Sequence, residues 1–477
     1  MASAAAAAPL YIQIAEGIVE QIGKGTLRAG EKAPSIRRLS KQKRVSISTA
    51  LQAYMWLESR GHLEARPKSG FFVRRPYASL IPEPRYETRL ANPHLIGTND
   101  ILETFMATAY DPECIPFAAG CVTPDLYPNR ALNLILRRIV NRQPLHSARY
   151  LFPPGLESLR RQIARRSPDL GCDYAPQDIV VTAGALEAVN LSLRAVTKPG
   201  DVIAVESPTY FGVLGSAASL GLKVVEIATH PQEGICLDRL ENAIRKHRVK
   251  ACIVMSNCHN PLGYVVPDVR KKALADLAAR WNLAIIEDDV YGDLAHESPR
   301  PRTVKSFDQK GLVLLCSSFS KTLAPGFRVG WVAPGRFRAE VGRLKFLSTV
   351  VPSTLPQMAI AEFLGSGGYD RHVNRLKSAF ASQVDSVRQA VARYFPEGTR
   401  VSRPAGGILL WVEMPPKVDA LKLYQVALAE RIAILPGKIF SPSNRFRHHI
   451  RINCGHAWTE AHERALLKLG RLCETAR

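Results

Sequence analysis

With 477 residues, 46% of them hydrophobic and 22% charged, the chain is too long for one ordinary domain and apolar enough to bury a substantial core. Its formal charge of +22 is uneven, because residues 1–80 hold thirteen Lys and Arg against five Asp and Glu; a net of +8 there suits either a polyanionic partner or a solvated basic face. Nine cysteines without a CxxC pair argue against a disulfide framework or a zinc site.

The alanine run at residues 4–8 lacks the charged start and long apolar core of a signal peptide. No apolar run approaches a membrane span, so a cytoplasmic location is expected. From Leu10, apolar residues recur at Ile14, Ile18 and Ile22, one face of a helix that stops near "GKGTLRAGE". In "APSIRRLSKQKR" Ser35 can cap a short basic helix. In "VSISTALQAYMWLESRG" Ser46 can cap a second, which buries Leu51, Tyr54 and Leu57 before Gly61 ends it. "HLEARPKSGFFVRR" then reads as two short strands around a Pro-Lys-Ser-Gly turn. Three helices and a hairpin in this order make a winged helix-turn-helix.

Residues 9–74 resemble the GntR-type winged-helix repressors in "PLYIQIAEGIVEQI", "APSIRRLS" and "VSISTALQAYMWLESRGHLEARPKSGFFV", with helix, turn, recognition helix and wing in the family's order. The resemblance implies a head, residues 9–76, that binds double-stranded operator DNA with its recognition helix in the major groove. Carried over residue by residue, Arg37, Ser46, Ser48, Thr49 and the wing residues Lys68 and Ser69 are the expected DNA contacts. The chain departs from the pattern at Ala33, where many relatives have Leu, and at Ile47, where many have Arg. The second change removes a base-reading arginine and leaves the operator sequence open.

Pro76, Pro82, Pro84 and Pro93 punctuate the polar stretch that follows, which reads as a linker over residues 77–114, with a short helix at residues 100–110 opening the next unit. Over residues 115–477 short apolar runs, "DIVVT", "DVIAVE", "KACIVMS", "LAIIEDD" and "LVLLCSS", alternate with longer helical patterns. This alternation predicts an α/β fold with a largely parallel sheet. Ligands of such sheets sit at the carboxyl ends of the strands.

The chemically distinctive residues fall at those ends. "TAGALEAVNL" opens a helix at about Ala185, either a plain glycine turn or a phosphate site at a helix N-terminus. Tyr210 in "ESPTYFG" is a packed ring or one that stacks on a flat ligand, and Asn260 in "SNCHNPLG" lies in a tight turn. Asp288 and Tyr291 follow a strongly buried strand, where a carboxylate is costly unless it meets a cation. Lys321 follows another strand in "LCSSFSKTLAPGFRVGW".

A phosphate cradle, a stacking ring, a buried carboxylate and a lysine together match the needs of pyridoxal 5′-phosphate. In that reading Lys321 forms the Schiff base and Asp288 keeps the pyridine nitrogen protonated. Asn260 and Tyr291 bond the ring oxygen, and Tyr210 stacks on the ring. Ser318, Ser320, Arg328 and the N–H groups of Ala185 and Leu186 bind the phosphate. No metal is expected.

The ordered set "TAGALEA", "NPLG", "EDDVYGDL", "SSFSKTLAPGFRVGW" and "IRINCG" resembles the fold-type I aminotransferases over residues 115–475. The resemblance implies a large α/β subdomain with a mostly parallel sheet and a smaller α+β subdomain. It gives Arg451 the α-carboxylate of an amino compound, with Gly120 beside it; a strand-end salt bridge is the alternative for Arg451. By the same resemblance Tyr150 reaches the phosphate of a neighbouring subunit. Head, linker and body together resemble the MocR subfamily of bacterial transcription regulators. That implies a homodimer that senses an amino compound or the cofactor and works at the nucleoid, with a working aminotransferase as the alternative.

Overall fold

The computed structural model describes residues 9–59, 62–66, 69–73, 81–86, 92–95, 111, 113–145, 149–443 and 445–476. The head contains helices Leu10–Gly23, Ile36–Lys43 and Ile47–Ser59, followed by the antiparallel strands Leu63–Arg66 and Gly70–Val73. Both predicted caps form. Ser35 Oγ accepts the Arg38 N–H at 3.3 Å, and Ser46 Oγ accepts the Thr49 N–H at 3.0 Å. The predicted hairpin turn at Pro67 and Lys68, and the helix stop at Gly61, lie outside the described residues.

Ile14, Ile18, Leu39, Ala50, Ala53, Tyr54, Leu57, Leu63 and Val73 close the core of the head. Leu51, expected inside, is exposed instead. The reason is helical phase: Ala50, Ala53, Tyr54 and Leu57 recur at three and four residues and define the buried stripe, and Leu51 falls one step off it. Tyr54 anchors the turn by donating its hydroxyl to the Pro34 carbonyl, and burial pushes its phenol up to about 12.

Within the stretch read as a linker, residues 81–86 form a strap packed on the body. The Pro82 carbonyl accepts the Val401 N–H at 2.9 Å. Glu413 Oε2 accepts the Arg85 N–H at 2.7 Å, and the Tyr86 ring meets the His230 ring edge-on at 5.2 Å. His94–Leu95 adds a strand to the main sheet beside Lys223–His230. The helix expected at residues 100–110 lies outside the described residues.

The body is built on two main sheets, with a small parallel pair, Ile115–Pro116 beside Ile432–Ala433. In the larger, the strands run in the order His94–Leu95, Lys223–His230, Val202–Ser207, Ala251–Val254, Ala284–Asp288, Val313–Ser318, Gly330–Ala333 and Val180–Thr182, and Gly234–Ile235 pairs with Lys223–His230. The five from Lys223–His230 to Val313–Ser318 are mutually parallel. All five predicted apolar runs are strands of this sheet. They are apolar throughout because alternate residues enter opposite layers. Ile286 and Leu314 pack under helix Ala185–Val196, whereas Ile285 and Val313 pack under helices Leu237–His247 and Asp268–Trp281.

The smaller sheet is antiparallel, in the order Arg400–Val401, Leu409–Glu413, His449–Asn453, Leu435–Pro436. Helices Gly368–Tyr394, Ala420–Ala429 and Glu460–Thr475 contribute to its core. Among the described residues, no helix is long and apolar enough to cross a membrane.

Candidate functional site

The loops at the carboxyl ends of the parallel strands converge, as the sequence predicts. Lys321 stands three residues beyond strand Val313–Ser318. Its Nζ donates to the Gly120 carbonyl at 2.6 Å and lies 5.8 Å from the centre of the Tyr291 ring. That carbonyl belongs to a segment that also meets the smaller sheet, where the Phe117 and Cys121 carbonyls accept from Asn453.

Three consecutive carboxylates end the strand Ala284–Asp288, and two of them are fully engaged. Glu287 accepts from Ser256 Oγ and from the Val304 and Lys305 N–H groups. Asp289 takes the Asn257 amide at 2.9 Å and the Arg300 guanidinium. Asp288 is less completely engaged: it is buried and takes a backbone hydrogen bond from Val290, but its Oδ1 has no hydrogen-bond partner. Burial first, and the neighbouring Asp289 second, push its carboxyl up to about 7. An open buried acceptor oxygen of this kind suits a cationic N–H.

A second cluster surrounds Gly184. Its φ of 93° lies in the left-handed region that glycine adopts freely, and it caps helix Ala185–Val196, whose first N–H groups have no partner within the helix. Arg328 donates to the Ala183 carbonyl at 3.2 Å and to Ser320 Oγ at 3.4 Å; a Cβ on residue 184 would strike its guanidinium at 2.5 Å. No ion pair among the described residues includes Arg328. Ser318 Oγ accepts the Ser320 N–H at 3.4 Å, and Leu186 is exposed at the rim. The cluster is rich in donors, and its first-turn carboxylate, Glu187, is already engaged by the Ala183 N–H, Lys345 and Thr349.

Arg451 lies on strand His449–Asn453 and is buried. It donates to Asn260 Oδ1 at 3.1 Å and to the Ala118 carbonyl, and its Nε has no partner. Burial lowers its pKa, while Tyr291 and Tyr210 hold it up. The salt-bridge alternative fails among the described residues, since Arg451 has no carboxylate neighbour there. A Cβ at Gly120 would lie 3.3 Å from the Tyr291 hydroxyl and 3.9 Å from Arg451 Nη2, so only glycine leaves that space free. Tyr210 stands at the start of helix Phe211–Ser219. Burial raises its phenol, with Lys321, Tyr291, Arg451 and Asp288 all acting on it, which places these five groups around one space.

Sequence reasoning missed the framework behind this space. Arg300 ties Asp289 to Asp293, Tyr369 donates to Asp293 at 2.6 Å, and the Tyr127 hydroxyl donates to the Ser320 carbonyl at 3.0 Å. The doubled aspartate "DD" signalled that one carboxylate needed a cation. Nothing in the sequence pointed to Arg300, eleven residues on in a proline-rich loop.

In the head, Arg37, Ser46, Ser48 and Ser69 are exposed and Thr49 is half-buried. Ser46 Oγ lies 2.7 Å from Ser48 Oγ and 2.8 Å from Thr49 Oγ1, an interlocked hydroxyl cluster at the start of the helix. Lys68 lies outside the described residues. Tyr150 is 83% exposed and stacks on Phe152, which in turn meets Phe346.

These two constructions correspond to two known families. The chain belongs to the aminotransferase class I and II family, whose profile matches residues 134–468, and it carries in front a unit that matches the bacterial regulatory proteins of the gntR family over residues 10–73. The same fusion runs the length of two relatives from Escherichia coli (strain K12), both described as uncharacterized HTH-type transcriptional regulators. YdcR is 38% identical over 97% of this chain and 99% of its own, and YjiR is 40% identical over 96% and 98%. The fold of the body is that of LysN, the alpha-aminoadipate aminotransferase of Thermus thermophilus, with a TM-score of 0.73 and 23% identity over 80% of this chain and 96% of that one.

Proposed function

We propose that the protein is a pyridoxal-phosphate-dependent transcriptional regulator, in which an amino compound or the cofactor itself, bound in the body, biases how the head engages operator DNA. The observation that carries this reading is the trio facing one space: Lys321, the open Oδ1 of Asp288, and the unneutralised guanidinium of Arg451. The residues fit the cofactor. The donor cluster around Gly184 and Arg328, with Ser318, Ser320 and the Ala185 and Leu186 N–H groups, suits a phosphate dianion. Asp288 Oδ1 suits a protonated ring nitrogen.

When bound, the cofactor supplies a reactive carbonyl carbon and an electron-withdrawing ring. Lys321 offers the amine that holds it covalently. Asp288, ionised once a cation faces it, keeps the ring nitrogen protonated. Asn260 and Tyr291 would bond the ring oxygen, and Tyr210 would stack on the ring. Arg451 takes the carboxylate of an amino compound, which meets a cation already desolvated by the fold.

The assembly in this reading is a homodimer at the nucleoid in the cytoplasm. Tyr150, Phe152 and Phe346 form an exposed aromatic face that suits a second copy of the chain, placing Tyr150 near the partner's phosphate cluster. Regulation requires the ligand to prefer one arrangement of the heads, since equal affinity shifts nothing.

Titrating amino acids and amines into the purified protein, while recording the visible spectrum and DNA affinity together, tests the reading. Ligands that change both support it. Turnover of amino acids with no change in DNA affinity would favour the transaminase alternative.

A further inference from the structure

We propose that the outward face of the recognition helix reads A·T base pairs, through thymine methyl groups and adenine edges, with Ile47, Leu51 and Gln52 setting the specificity. The inference rests on the DNA-binding reading above. Along helix Ile47–Ser59 the buried stripe is Ala50, Ala53, Tyr54 and Leu57, and the residues turned outward are Ile47, Ser48, Leu51, Gln52 and Met55. Ile47 and Met55 are each 57% exposed and Leu51 38%. At a spacing of four residues, Ile47, Leu51 and Met55 line up as one apolar stripe, and Ser48 and Gln52 as a polar stripe beside it. No charge stands on this face.

The charge is on the flanks. Between Glu31 and Glu58 the chain holds six cations, Lys32, Arg37, Arg38, Lys41, Lys43 and Arg44, and no carboxylate. Attraction to phosphate is thereby assigned to the preceding helix and its neighbours, leaving the face of the recognition helix to the bases. In the major groove only thymine offers a methyl group, and only adenine offers the adjacent acceptor and donor that a glutamine amide matches. Guanine presents two acceptors and calls for Arg or Lys, which this face lacks. Packing among the described residues does not account for the stripe: the helix comes beside the long helix Gly368–Tyr394, and Ile47, Leu51 and Met55 remain exposed.

The test uses the full-length protein and a library of duplexes with a randomised core. Retained duplexes are expected to carry A·T pairs in the segments that the heads contact. Replacing their thymines by deoxyuridine removes only the methyl groups and should lower affinity about fourfold for each methyl contacted. In Ile47→Ala the ratio of thymine to deoxyuridine affinity should fall toward one. Gln52→Ala should weaken binding to the retained duplexes by about 5- to 150-fold and to random DNA far less. Retained cores of G·C pairs, or indifference to deoxyuridine, overturn the proposal while leaving the head a DNA-binding unit. So does an Ile47→Ala variant whose affinity changes equally for every duplex, the sign of a stripe that seats the head on the body. Salt-insensitive binding without any selection removes both the proposal and the reading on which it rests.

Discussion

The Arg451 guanidinium donates to the Asn260 side-chain carbonyl at 3.1 Å, joining a strand of the small antiparallel sheet to a turn of the large parallel one. Both residues are buried, and no carboxylate completes the pair. A ligand carboxylate that binds there meets the two subdomains together, so recognition and subdomain placement fall on the same atoms.

Replacing Arg451 by Met should therefore separate two classes of ligand. Affinity for α-amino carboxylates should fall by roughly 2–5 kcal/mol, the cost of truncating one side of a desolvated charge pair. Affinity for the corresponding amines without a carboxylate should stay within a few-fold, as read by spectral titration. Equal losses for both classes would show that Arg451 shapes the pocket rather than receiving the carboxylate.

Lys321→Ala should remove the visible absorbance of the purified protein and any borohydride-reducible adduct, because its ε-amine is the amine placed beside the Tyr291 ring and the Gly120 carbonyl. The fold should persist by circular dichroism. Retention of a reducible adduct would assign the attachment to another lysine.

Asp288 makes a prediction about pH. Its carboxyl is raised from the ordinary 3.8 to about 7 in the folded chain. Below about pH 3 the group is protonated in both folded and unfolded states and nothing is lost. As pH rises from there to about 7, the unfolded chain ionises while the folded one holds its proton, so the cofactor-free protein loses stability across that window, by roughly 4 kcal/mol. Asp288→Asn cannot ionise, and its cofactor-free form should be more stable than the parent at pH 8 and indistinguishable at about pH 3. Urea unfolding at the two pH values measures this. The same variant should keep the cofactor but lose its response to ligands, since a neutral amide does not hold the ring nitrogen protonated.

On the head, Arg37→Ala and Lys68→Ala should weaken binding to operator and random duplexes by similar factors. Each should reduce the slope of log affinity against log salt by roughly 1 for every phosphate left without its cation, hence about 2 in a symmetric dimer. Ser48→Ala and Thr49→Ala should cost roughly 1–3 kcal/mol on the operator and little on random DNA. Fluorescence anisotropy at several salt concentrations separates the two classes.

The sites at strand ends were legible because their spelling is local. Caps, glycine turns and apolar runs are each set by a few adjacent residues, so Ser35, Ser46, Gly184 and the strands before Asp288 and Lys321 could be placed without tertiary knowledge. Leu51 was misplaced because one residue of helical phase moves a side chain by about 100°, and the small Ala50 and Ala53 carry little hydrophobic signal although they define the buried stripe. The Asp289–Arg300 pair and the strap at residues 81–86 were not legible, because each depends on partners brought together by the whole fold. A proline-punctuated polar segment reads as free chain until the body supplies Val401 and Glu413 to hold it.

The strap also acts as a short leash. The seven residues between Val73 and Ile81 can stretch to at most about 28 Å, so a head cannot wander farther than that from the edge of the body on which the strap is pinned. In the proposed dimer, once one head has found its half-site, the other is offered to the adjoining DNA at an effective concentration in the millimolar range without any new protein contact. Spacing between half-sites is thereby rationed by the length of the chain, and lengthening this stretch with Gly and Ser should relax the spacing the protein accepts while diluting the second head.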